Sequence, residues 1–178
     1  MERNVVRVVV PIRKEAMTDA IRIRTMLKRT SSNLLLLLLL CACDGTLFHS
    51  FCPLDGEWRR DSVAEFAYIS YYSPDAVHGL RVEARTDASY RYKNLVIRAE
   101  YLNMNDSLLA CDTLPITVYG DDGRRVGATA GMLYQQESGV IKPNVLFKDS
   151  VVIRLYHLMP DDTLKGVHNV GVRLMKLD

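Results

Sequence analysis

Leu95-Val96-Ile97-Arg98-Ala99-Glu100-Tyr101-Leu102 is the stretch on which the fold turns. Leu95, Ile97, Ala99 and Tyr101 fall on one side of an extended chain. Arg98 and Glu100, with Val96, fall on the other. A period of two belongs to a β-strand with one face on a core and one in water. The same period recurs upstream. Val63, Glu65, Ala67 and Ile69 alternate with Ala64, Phe66 and Tyr68, and Leu80, Val82 and Ala84 alternate with Arg81, Glu83 and Arg85. Downstream, Leu114 to Tyr119 runs into Gly120-Asp121-Asp122-Gly123, a strong hairpin-turn signal, and a strand resumes over Val126 to Tyr134. Val151 to Tyr156 and Val170 to Leu177 close the series. No helical period of ten or more residues follows position 43, and Ser73 to His78 has room for one short helical turn. Short strands with turns between them predict an all-β chain: an antiparallel, jelly-roll-like β-sandwich of about seven to nine strands.

The N-terminal part obeys different rules. Leu34 to Leu40 are seven consecutive leucines, followed by Cys41, Ala42 and Cys43. Crossing a bilayer as a helix takes ~20 apolar residues, so this run cannot hold a protein in a membrane; the apolar region of a secretory signal takes ~7–15. Lys28 and Arg29 stand before it as the positive flank. Leu40-Cys41-Ala42-Cys43 resembles a lipobox, with Leu at −3, a small residue at −1 and the acceptor thiol. The sequence therefore predicts cleavage between Ala42 and Cys43 and lipidation of Cys43. Cys41 is the poorer acceptor because Leu40 and Leu39 would flank its cut. The basic residues from Arg3 to Arg24 lie unusually far ahead of the leucines, which makes Met26, or Met17, a candidate start. The organisation expected is a signal region over 1–42, a lipidated N-terminus and tether over 43–57, and a β-sandwich over 58–178. Asp44, Gly45, Pro53, Asp55 and Gly56 suggest the tether.

The formal charge of +2 mixes these regions. Residues 1–42 hold eight of the 23 Lys/Arg and three of the 21 Asp/Glu, leaving 15 against 18, a net of −3. Such a domain has no electrostatic footprint for nucleic acid or anionic lipid headgroups.

Candidate chemistry is sparse. Cys52 and Cys111 are an even pair that could close a disulfide in an oxidising compartment, with two separate thiols as the default. His49, His78, His157 and His168 show no metal-ligand spacing, so neither a metal nor another cofactor is expected. Asp121-Asp122 and Asp161-Asp162 read as turn formers. No serine elbow or phosphate-cradling loop is present, so no catalytic residues and no enzyme activity are expected. Arg81, Arg85, Arg91, Lys93 and Arg98 interleave with Tyr90, Tyr92 and Tyr101. That pattern is either a solvated strand face or a stacking surface for glycans. Trp58, the only Trp, is either a core plug or a ligand platform.

Further residues carry a resemblance. They are Trp58-x-x-Asp61, Tyr92-x-Asn94-Leu95, Asp112-x-Leu114-Pro115, Asp122-Gly123 with Gly127, and Met159 and Asp162. Leu164-x-Gly166-Val167 and Val170-Gly171-Val172-Arg173 complete the set. Together with the lipobox, they make the chain similar to the gliding-motility lipoprotein GldH family of Bacteroidetes. It departs from the pattern at Arg124-Arg125-Val126-Gly127. The resemblance implies a lipid-anchored envelope protein, at the periplasmic face or the outer membrane. Its partners would belong to gliding motility or type IX secretion machinery, and its role would be accessory or scaffolding, without catalysis. The alternative from the residues alone is an envelope glycan-binding module on the same sandwich.

Overall fold

The computed structural model describes residues 5–8, 45–69, 77–143 and 150–177. Ten strands follow in order: β1 (Val5–Val8), β2 (Thr46–Arg59), β3 (Val63–Ile69), β4 (Val77–Thr86), β5 (Asn94–Leu102), β6 (Leu108–Thr117), β7 (Ala128–Ala130), β8 (Leu133–Glu137), β9 (Ser150–His157) and β10 (Thr163–Leu177). One sheet has the order β1-β3-β9-β5-β6 and the other β2-β10-β4-β8-β7. The pairing is nested: β2 with β10, β3 with β9, β4 with β8 and β5 with β6, all antiparallel. A chain folded once into a long double ribbon and then rolled gives this nesting, which is a jelly roll. The predicted all-β sandwich is thus the fold. β1 alone pairs in parallel, along the outer edge of β3.

The alternating apolar faces meet between the sheets. Leu95, Ile97, Ala99 and Tyr101 of β5 are buried with Val82 and Ala84 of β4 and with Val170, Val172 and Leu174 of β10. Trp58 lies wholly inside, and its Nε1–H donates to the Ser62 carbonyl at 3.2 Å.

The tether expected within 43–57 is corrected from residue 46 onward: residues 46–59 form β2, hydrogen-bonded along most of β10. The residues that suggested a break are accommodated. β2 is an edge strand, so exposed Pro53 removes no interior ladder donor. Asp55 (φ 52°) and Gly56 (φ 85°) form an irregularity opposite the register shifts at Lys165 to Asn169. Cys52, Leu54 and Trp58 keep their inward alternation through it.

The Gly120–Gly123 turn forms, with Gly123 N–H donating to the Gly120 carbonyl at 3.1 Å and Tyr119 bridging Arg125. It does not join two strands of one sheet. β6 and β7 belong to opposite sheets, and Gly127 (φ 102°) passes the chain across where a Cβ would strike the Gln135 carbonyl. The strand expected over 126–134 is broken into β7 and β8 by a turn at Gly131-Met132. The helical turn expected over 73–78 lies outside the described residues except for Val77 and His78, which open β4.

Gly166 and Gly171 stand where the backbone leaves no room for a side chain. Gly166 has φ +80°, and a Cβ there would meet the Tyr90 backbone nitrogen and Ser89 Oγ. At Gly171 it would lie 2.6 Å from the Phe51 ring. Gly166→Ala therefore combines a left-handed backbone with a clash against main chain that cannot swing away. A loss of about 2–3 kcal/mol is expected, read from urea unfolding followed by circular dichroism.

Candidate functional site

Ala42 and Cys43 lie outside the described residues. The described chain resumes at Gly45, whose carbonyl accepts the Lys176 N–H at 2.9 Å. Cys52 is buried on β2 and Cys111 exposed on β6, in opposite sheets, and no disulfide joins them. Burial pushes the Cys52 thiol up to about 11, which keeps it protonated and unreactive.

The aromatic platform for glycans is not formed by Trp58 and Tyr90. Both rings are buried, and the Tyr90 hydroxyl donates to the Asn94 carbonyl at 2.8 Å. Tyr101 is buried too, so of Tyr90, Tyr92 and Tyr101 only Tyr92 keeps partial exposure, and it packs edge-on against Tyr90. The basic stretch is distributed over both sheets, with its charges engaged. Arg81 pairs with Glu137 (2.6 Å), Arg91 with Asp161 (2.7 Å), Lys93 with Asp121 (2.6 Å) and Arg98 with Glu100 (2.8 Å). Arg85 stacks 4.0 Å above the Phe51 ring and donates to Gln135. Asp122 accepts the Arg124 N–H within its turn, as a turn former does.

The structure assembles a site that the sequence reading did not single out. The β2–β3 turn, the middle of β5 and the β9–β10 connection enclose an open groove of about 820 Å³. Arg59, Arg98 and Tyr156 line it, with His157 at its floor. Three cations and three carboxylates are interleaved there: Arg59 with Asp61 (2.8 Å), Arg60 with Asp162 (2.9 Å), and Arg98 with Glu100. Arg60 also donates to the Met159 and Pro160 carbonyls, which fixes the β9–β10 connection. Exposed pairs of this kind are worth little individually, so an incoming carboxylate or amide can displace one at small cost. His157 is 3% exposed, its ring edge-on to Trp58 at 5.4 Å, and among the described residues neither ring nitrogen has a hydrogen-bond partner of good geometry. The only local hints in the sequence were the doublets Arg59-Arg60 and Asp161-Asp162, because the groove joins segments about a hundred residues apart.

Burial, helped by the nearby Arg60 charge, holds His157 below its ordinary 6.5, so the folded protein keeps it neutral. Unfolding lets it take up a proton near that value. Stability is therefore full above about pH 6.5 and falls as the pH drops toward the folded value. Asp87 works lower on the scale. Burial raises it, but hydrogen bonds from Ser89 and from His168 (2.7 Å) outweigh burial and bring it to about 2. Its contribution is present above 3.8 and lost as the pH falls toward 2. His157→Phe should flatten the loss just below pH 6.5 and leave the loss below pH 4 in place, as read from chemical unfolding at a series of pH values.

Residues 46–174 match a protein-family model described as GldH lipoprotein. No curated protein and no solved structure matches the chain.

Proposed function

The chain belongs to the GldH lipoprotein family, and from that premise we propose that it is a lipid-anchored, non-enzymatic docking component of the bacterial envelope. The proposed processing is export on the leucine-rich signal, cleavage between Ala42 and Cys43, and acylation of Cys43. That cut would remove β1 with the signal region and leave the nine antiparallel strands from β2 onward. The partner class proposed from the family is envelope protein of the gliding motility or type IX secretion machinery.

One observation carries the docking role. The groove lies at one end of β2, where Arg59 pairs with Thr163, and the chain leaves toward Cys43 at the other end, beside Lys176. Fourteen extended residues separate those ends, roughly 40 Å. The groove is thus carried clear of the anchor, with charge pairs that can exchange for those of a partner chain. The burial of Trp58 and Tyr90 counts against the glycan reading, which needed those rings on the surface.

Affinity purification of the full-length protein from detergent-solubilised envelopes tests the proposal. An envelope protein should co-purify with the wild type and fall at least tenfold with a double variant, Arg98→Glu with Arg59→Glu. Recovery of bait alone in several detergents would defeat it. Acylation has its own readout: a fatty-acid probe should label the wild type and not Cys43→Ser.

A further inference from the structure

The large exposed apolar side chains among the described residues are Val77, Met104, Leu108, Leu109, Met132, Val140 and Leu158. Five of them gather at one end of the sandwich. Val77 opens β4 and pairs with Leu177. Val140 precedes Ile141, which bridges Leu80, and it approaches to 3.0 Å the point where a Cβ on Gly79 would stand. Leu108 pairs with Leu102 at the β5–β6 turn, which carries Met104, and Leu109 follows it. The two sheets share this end. β2 crosses to β3 at the opposite one, through the short turn after Arg59, so Ile69, Leu102 and Leu108 lie level with Thr46, Val77 and Leu177. Met132 and Leu158 lie toward the far end, where β8 begins and β9 finishes.

The chain leaves the domain from the apolar end. Gly45 is held beside Lys176, and Cys43 is only two residues further on. Two extended residues reach about 7 Å. If the Cys43 sulfur carries acyl chains at the bilayer surface, the end of the sandwich that lies next to it cannot stand off from that surface. It is also the end where Met104 is 61% exposed and Val77, Leu108, Leu109 and Val140 have no core to enter. Apolar side chains set into the interface beside a lipid anchor add to the attachment that the acyl chains supply.

We infer that the domain stands end-on against the bilayer, with Val77, Met104, Leu108, Leu109 and Val140 set into the lipid interface as a non-covalent contact beside the anchor. This inference rests on the acylation of Cys43. It fixes the long axis of the sandwich upright and points the groove away from the lipid.

The test uses the full-length, acylated protein reconstituted in vesicles of phosphatidylethanolamine and phosphatidylglycerol. Cys111→Ser removes the exposed thiol, and an environment-sensitive fluorophore is placed at Met104→Cys or, as the far-end control, at Met132→Cys. Emission from position 104 should shift to the blue on reconstitution and be quenched at least threefold by lipids spin-labelled near the headgroup, with position 132 unchanged. Water-like emission at both positions, on protein that floats with the vesicles, would overturn the inference and leave acylation standing. Protein that does not float would overturn the acylation premise, and the inference with it. Shielding of position 104 in native envelopes but not in protein-free vesicles would make the patch a protein contact and also overturn the inference. Met104→Ser with Leu108→Ser and Leu109→Ser should abolish the shielding of a probe at Val140→Cys, whereas a merely flexible linker would leave that probe unshielded from the start.

Discussion

Trp58→Ala is expected to lower the free energy of unfolding by about 3–5 kcal/mol, a large share of what a domain of this size possesses. The side chain is wholly enclosed and is the largest in the core. It sits one residue before β2 ends, at the crossing where the chain leaves one sheet for the other. Alanine would remove the indole's transfer energy and leave a void between elements pinned on both sides, so the surroundings have little freedom to collapse. The Ser62 carbonyl would also lose its donor. Trp58→Phe separates the contributions. It keeps most of the volume and loses the hydrogen bond, and should cost about 1–2 kcal/mol. Urea unfolding followed by circular dichroism reads both, since the variants lack the single tryptophan. A loss below 1 kcal/mol for Trp58→Ala would show that the site collapses freely. His157 rests against this ring, so the groove floor depends on Trp58, although the indole lines none of the groove.

The alternation of apolar residues was legible wherever nothing polar interrupted it. β3 stands over the residues that period two gave it, and β4, β5 and β9 stand where it put them with an end extended by a residue or more. β2 carries the same signal in Cys52, Leu54 and Trp58, hidden by Pro53, Asp55 and Gly56. Those residues usually break a strand, but here they occupy an edge and a bulge. Whether a strand lies at an edge is a property of the assembled sheet, so a local reading cannot excuse a proline on that ground. The Gly120–Gly123 turn shows the same limit: its chemistry specifies a reversal but not whether the chain stays in its sheet. Gly127, four residues past the turn segment, crosses with a left-handed backbone packed against the Gln135 carbonyl, a contact that exists only once β8 has formed. The groove was the least legible feature. Its ion pair Arg60–Asp162 forms, and the local pair Arg98–Glu100 comes beside it, only after β9 and β10 fold back over the β2–β3 turn. The nested pairing of β2 with β10 spans the whole domain, so no short-range pattern announces it.

Glu83→Ala should cost about 3 kcal/mol, and it tests how the outer face of the β2-β10-β4-β8 sheet is tied together. Glu83 points to the side that the alternation assigns to water, yet it is fully buried. Its neighbours close over it. Arg173 Nε on β10 donates to one carboxylate oxygen at 2.7 Å. Gln135 Nε2 on β8 donates to the other at 2.8 Å, which His49 Nε2 on β2 also approaches at 3.1 Å. One carboxylate thus joins four strands, and Arg85 stacked on Phe51 lies beside it. Removing one partner of a wholly buried ion pair costs about 3–5 kcal/mol. Arg173 and His49 retain some exposure and can recover part of their hydration, which places the expected loss at the lower end of that range. Glu83→Gln keeps the shape and one acceptor and should lose about 1–2 kcal/mol. In a double-mutant cycle with Arg173→Ala, a coupling of about 1–2 kcal/mol is expected, because each single change already removes the shared contact. Adding 0.5 M salt should leave most of that coupling, since an enclosed pair is screened far less than the exposed pairs of the groove. Unfolding of Glu83→Ala within 0.5 kcal/mol of the wild type would mean that the sheet is held by its ladder and core alone, with the carboxylate only filling space among its neighbours.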